Sequence, residues 1–257
     1  MKDFFIKLFF GKPNSELRKP NPFYRTQKNN LQKIWDNTNY NDFGVERLFR
    51  LFLQLITFIL PAGVVRSVTG KSKNLIVRKL GIDFYGIAKV VFILVSFLKD
   101  WNTNLLVLFL IIYLLIDTLH FLTCRVFLSD VYTQAISYKR SLLMTFINYI
   151  EMCLCFGFVY SYLDNTHCVG KMFDISEKLT ILSNTCHLTD IQAVYFSFVT
   201  SATIGYGDIS PISSLSMVVS ILQIIVSLFF VVVFISNTIN KLGEDTYFNK
   251  NQKNKEK

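Results

Sequence analysis

Residues 190–208 read DIQAVYFSFVTSATIGYGD, and the reading of this stretch decides the fold. Residues 190–202 predict a short helix with an acidic start at Asp190 and aromatic side chains at Tyr195, Phe196 and Phe198. It is too short to span, since crossing a bilayer takes about 20 apolar residues. It runs directly into Thr203, Ile204, Gly205, Tyr206, Gly207 and Asp208, and beyond Ser210 and Pro211 a full-length apolar helix begins near residue 213. Glycine at 205 and 207 opens backbone angles that side chains forbid. A helix that stops at a glycine loop and is followed by a complete span is a re-entrant arrangement. Irregular backbone at membrane depth persists only where protein buries it or it lines a watery path, so the loop belongs inside an assembly.

The composition agrees with a membrane setting. At 51% hydrophobic residues the chain is too apolar for an ordinary soluble domain, and it carries several runs near spanning length. Its formal charge of +9 could point to nucleic acid, but the Lys and Arg residues cluster between apolar runs and at the ends. That is the positive-inside pattern, which makes anionic lipid headgroups the expected partner and excludes nucleic acid. No CxxC pair, HExxH or phosphate-cradling GxxxxGK occurs, and no nucleophile, base and orienting group recur together, so neither a resident cofactor nor an enzyme is expected.

Taken in order, residues 1–47 form a basic cytoplasmic arm, rich in proline and asparagine and unsuited to a packed domain. The opening MKDFFIKLFF lacks a small-residue cleavage site and reads poorly as a signal peptide. Residues 48–66 predict an interfacial amphipathic helix on the inner surface, because Arg47, Arg50, Gln54 and Thr57 share one face. Residues 84–140 give a two-helix transmembrane hairpin with a cytoplasmic linker, its spans at about 84–99 and 105–127. Residues 141–240 hold a third span, an outer loop, the short helix with its glycine loop, and a fourth span. Residues 241–257 are a basic cytoplasmic tail. Both termini are then cytoplasmic in a multi-pass protein of the cell membrane. Cys168 and Cys186 fall in the outer loop, where the compartment permits a disulfide. The fold class is an all-α polytopic helical bundle.

The TIGYGD run and its surroundings, over roughly residues 141–240, resemble the pore module of the potassium-channel family. The resemblance implies that the backbone carbonyls of Thr203, Ile204, Gly205 and Tyr206, with the Thr203 hydroxyl, replace the hydration shell of a permeating potassium ion. Gly207, Asp208, Tyr195 and Phe196 would support this selectivity filter. One loop per chain implies a homotetramer. Val199 stands where some members carry a carboxylate that pairs with the aspartate after the filter, so Asp208 is expected to lack that partner. Tyr206 counts against the nearest alternative, a non-selective or sodium-permeable channel on the same scaffold. A transporter or accessory subunit is less favoured, because no internal repeat is visible.

Two further groups stand out. Lys89, Asp117, His120 and Glu151 lie within spans, where charges normally face the bundle and pair, so a buried polar cluster outside the pore is expected. Ser213, Ser216, Ser220, Gln223 and Ser227 make one polar face of the fourth span, expected to border the short helix and a watery cavity. Continuing that stripe inward reaches Phe230 and Phe234, candidates for a hydrophobic gate. Packing against lipid or the third span is the alternative role for both rings.

Overall fold

The computed structural model describes residues 23–36, 44–69, 75–128, 138–166, 172–176 and 187–242. Cys168, Cys186, most of the expected basic arm and the tail beyond residue 242 lie outside them. The described residues form helices α1 (Phe23–Asp36), α2 (Val45–Ile56), α3 (Pro61–Thr69), α4 (Leu75–Leu98), α5 (Leu105–Phe127), α6 (Tyr138–Thr166), α7 (Asp190–Ser201) and α8 (Ser214–Leu242). Strands β1 (Phe173–Ile175) and β2 (Ile209–Pro211) pair antiparallel, with Asp174 opposite Ser210. Among the described residues, four segments are long and apolar enough to cross a membrane: Leu80–Leu98, Leu105–Phe127, Arg140–Thr166 and Ser214–Ile235. The chain is a helical membrane protein.

Helix boundaries follow local chemistry. Asn104 accepts the Leu106 N–H at 2.9 Å and so starts α5, directly after a 3-10 turn at Trp101–Thr103. Pro61 opens α3, where its missing N–H costs nothing. Ser213 Oγ accepts the Ser216 N–H at 3.1 Å at the start of α8.

The chain packs as two units. One comprises residues 1–88 and 119–133. In it α1 lies on α2, although the arm around it was expected to form no packed element. Gln27, Asn30 and Ile34, at spacings of three and four, are buried along one face of α1. The polar stripe of α2 turns inward: Arg47 donates to the Trp35 carbonyl at 2.7 Å and Gln54 to Gln27 Oε1 at 2.6 Å. Leu48, Phe52, Leu55 and Ile59 occupy the exposed side.

The second unit, residues 89–118 and 134–257, is built on α6. Helix α7 lies against α6 so closely that Gly157 has no room for a side chain. A Cβ there would stand 3.0 Å from the Val194 Cα, which as backbone cannot rotate away. Phe196 inserts with Tyr160 and Phe173 into a group of edge-on rings, centroids 5.0–5.6 Å apart. At the N-terminal end of α7 Asp190 Oδ1 accepts from Ser161 Oγ at 2.5 Å and from Asn102 Nδ2 at 3.0 Å, tying α7 to α6 and to the turn before α5.

Replacing Gly157 with alanine should therefore force α6 and α7 apart. Overpacking of this kind costs about 1–3 kcal/mol. The expected outcome is a lower melting temperature in mild detergent than for the parent chain, with far-ultraviolet helicity unchanged.

Candidate functional site

Helix α7 begins with a complete capping box. Thr189 Oγ1 accepts the Gln192 N–H at 3.3 Å, and Gln192 Oε1 accepts the Thr189 N–H at 2.9 Å. Buried Asp164 fixes the approach by accepting the Leu188 N–H at 2.6 Å. Past Ser201 the chain leaves the helix while still bonded to its last turn: Thr203 N donates to Thr200 O at 3.1 Å and Ile204 N to Val199 O at 3.0 Å.

Beyond that point the backbone alternates. Thr203, Gly205 and Gly207 have φ of 56°, 61° and 76°, with no positive φ at Ile204 or Tyr206. With φ alternating in sign, the stretch follows neither a helix nor a regular strand. The strain is small at the glycines and of order 1–2 kcal/mol at Thr203, whose Cβ crowds the following carbonyl. Residues 202–207 are exposed on the single chain, Ile204 at 52% and Tyr206 at 66%.

The outer end of the loop is fastened twice. Tyr195 Oη donates to Asp208 Oδ2 at 2.7 Å, so Asp208 has a side-chain partner after all, supplied by the helix turn before Val199. That hydrogen bond, then burial and the nearby negative charge, pushes the Tyr195 phenol up to about 12. Its ring also stacks on Tyr206, centroids 6.5 Å apart and nearly parallel. The second fastening is the β1–β2 ribbon, extended by Ser176 N donating to Asp208 O at 2.9 Å. Nothing in the sequence marks a strand at β1. Phe196, expected beside the loop, faces Tyr160 and Phe173 instead.

The inner end rests on α8. Gln223, fully buried, places Nε2 2.7 Å from Ser197 O, 2.8 Å from Ser197 Oγ and 2.6 Å from Ser201 Oγ, while its Oε1 accepts from Tyr160 Oη at 2.6 Å. Ser197 Oγ in turn donates to the Cys153 carbonyl at 2.7 Å. Ser216, Ser220 and Ser227 are buried with it. The polar face of α8 is thus directed at α6, α7 and the β1 approach, and the expectation that it borders a watery cavity is corrected: its polar groups bond to protein. Phe230 on the same side is 2% exposed and packs edge-on against Tyr149 at 5.8 Å, an intramolecular seat rather than an open constriction. Phe234 is 45% exposed.

Of the four charged or titratable residues read in the spans, the second unit brings Lys89 and Glu151 to 3.0 Å, both buried. Thr118 bridges them, accepting from Lys89 Nζ and donating to Glu151 Oε1 at 2.9 Å. Buried Asp117 neighbours Thr118 in sequence. His120 belongs to the first unit, where its Nε2 lies 2.9 Å from Leu53 O and 3.4 Å from Thr57 Oγ1. No cluster of metal-ligating side chains occurs among the described residues.

A short helix runs into a glycine loop of alternating φ, and the pair lies between two segments long and apolar enough to cross a membrane. Residues 148–244 match a family model described as ion channel, a segment running from within α6 to the end of α8. The match supports ion-channel activity. No curated protein and no solved structure matches the chain.

Two outcomes follow from this geometry. Folding holds the Tyr195 proton above the ordinary tyrosine pKa near 10, so its contribution to stability is complete below about pH 10 and is lost as pH rises toward 12. Ultraviolet titration of the parent and of Tyr195→Phe should differ by one late-ionising tyrosine; an identical late phase in the two would refute the Asp208 bond. Glu151→Gln removes the carboxylate charge facing buried Lys89 and should cost about 3–5 kcal/mol, whereas Lys89→Met with Glu151→Leu, which removes both charges, should cost far less. Thermal denaturation of the two proteins checks the order.

Proposed function

We propose that the chain is one subunit of a potassium-selective channel, in which four copies of residues 203–206 surround a single permeation path. The observation that carries the reading is the alternating φ at Thr203, Gly205 and Gly207, a backbone that can turn consecutive carbonyls to one side as a ladder able to replace a potassium ion's water shell. The exposed Ile204 and Tyr206 side chains support it, because apolar surface at a loop is expected to be covered by further copies. Four copies would give the ring its closure. The basic stretches between apolar runs support a cell-membrane protein with both termini in the cytoplasm and anionic headgroups against its inner face.

A cation channel of lower selectivity is the second reading. Tyr206, seated flat on Tyr195 behind the loop, favours the selective one, since the stack resists collapse or widening of the loop. Purified protein in liposomes should pass potassium and rubidium and exclude sodium and lithium. Gly205→Ala forces a side chain onto φ 61° and should abolish potassium flux while leaving helicity intact. Equal sodium and potassium flux in the parent protein would overturn the proposal.

A further inference from the structure

The loop has an asymmetric support. Its outer end is fastened by Tyr195 and the β1–β2 ribbon, but its inner end hangs from the last turn of α7, through Thr203 N to Thr200 O and Ile204 N to Val199 O. A Cβ at Gly205 or Gly207 would meet nothing within 4 Å, so the subunit leaves those two positions of the loop open. The position of the last α7 turn therefore fixes where the Thr203 and Ile204 carbonyls lie. That turn carries Ser201, and Ser201 is held by Gln223.

The other polar residues of α8 do different work. Ser220 and Ser227 hydroxyls return to carbonyls of their own helix, at 2.9 Å and 2.8 Å, and Ser216 reaches Met172 O at 3.0 Å. Gln223 alone among these has the length to cross to α7, and it grips two successive turns there, at Ser197 and Ser201. Its two amide protons are shared among three acceptors, and its carbonyl is occupied by Tyr160. Every group involved is buried, so none can turn to water if the glutamine is lost.

We infer that Gln223 is a positioning residue for the ion-coordinating loop: through Ser201 and Ser197 it sets the register of α7 against α8 and thereby the diameter of the carbonyl ring. This deepens the channel reading and rests on it. Tyr160, the fourth participant, anchors the amide from the α6 side without touching α7's last turn. The two ends of the same hydrogen-bonded knot should separate by phenotype, one acting on selectivity and the other on stability alone.

The test is the potassium-to-sodium permeability ratio in liposomes, measured beside oligomer size and melting temperature. Gln223→Leu, close in volume and without hydrogen bonds, should lower the ratio about tenfold, as expected for the loss of two net hydrogen bonds that place the ring. Ser201→Ala is a small change that keeps the fold testable if Gln223→Leu does not assemble, and it should lower the ratio about threefold. The double variant should be no worse than Gln223→Leu alone, because both remove the same bond. Tyr160→Phe should lower the melting temperature and leave the ratio unchanged. A parent protein without potassium preference would defeat the channel reading itself. A selective parent whose Gln223→Leu and Ser201→Ala forms keep its ratio would defeat this inference alone, leaving Gln223 a packing residue. A ratio lost equally in Tyr160→Phe would also overturn it, by showing that general loosening suffices.

Discussion

A loop whose φ alternates in sign cannot pair its backbone as a helix or a strand does. Backbone oxygens in helices and sheets are satisfied by neighbouring N–H groups, and those of residues 203–206 are kept out of that pairing by the alternation of φ. Such a conformation does not hold itself. It costs strain at Thr203 and conformational freedom at two glycines, and it lies in a region where an unpaired polar group is expensive. The remainder of the second unit supplies the restraint: the capping box and Asp190 fix one end of α7, Gly157 lets α7 sit directly on α6, and the bonds to Asp208 and Ser201 hold the two ends of the loop.

Much of this was legible in the sequence for physical reasons. A span must be about 20 apolar residues, and the second span was read at 105–127, the bounds that the helix has. The short helix and its loop were legible because glycine and length together leave few alternatives. Helix α1 was missed although its buried residues recur at helical spacing, because a run of Asn, Lys and Gln carries little hydrophobic signal and two of the three inward residues are polar. Strand β1 had no signal to find. Three residues, FDI, show no alternation worth the name, and their partner lies more than thirty positions away on the far side of the glycine loop.

Asp208 illustrates a subtler limit. The sequence showed that position 199 offers no carboxylate, and from this the aspartate was read as lacking a partner there. A phenol one helical turn earlier reaches it instead, with Tyr206 stacked against the same ring. The signal was present in Tyr195, but a single aromatic residue on an apolar helix fits packing as well as hydrogen bonding. Only the distance from its hydroxyl to the loop distinguishes the two roles.

The polar stripes of α2 and α8 carry the same ambiguity on a larger scale. Polar groups on a helix in an apolar setting must leave the lipid, yet a water-filled cavity and another part of the protein satisfy that demand equally well, and periodicity sees only that they share a face. What separates the cases is reach and complement. Gln54 donates to Gln27, and Gln223 donates to two serines while accepting from a tyrosine, so each long amide finds its partners within the protein. Serines beside them bend back to their own helix, as short hydroxyls in a dry environment do. A stripe facing water would have no need of such closure. In this chain the long amide in each stripe marks the place where two helices are locked together, and on α8 that place stands directly behind the loop.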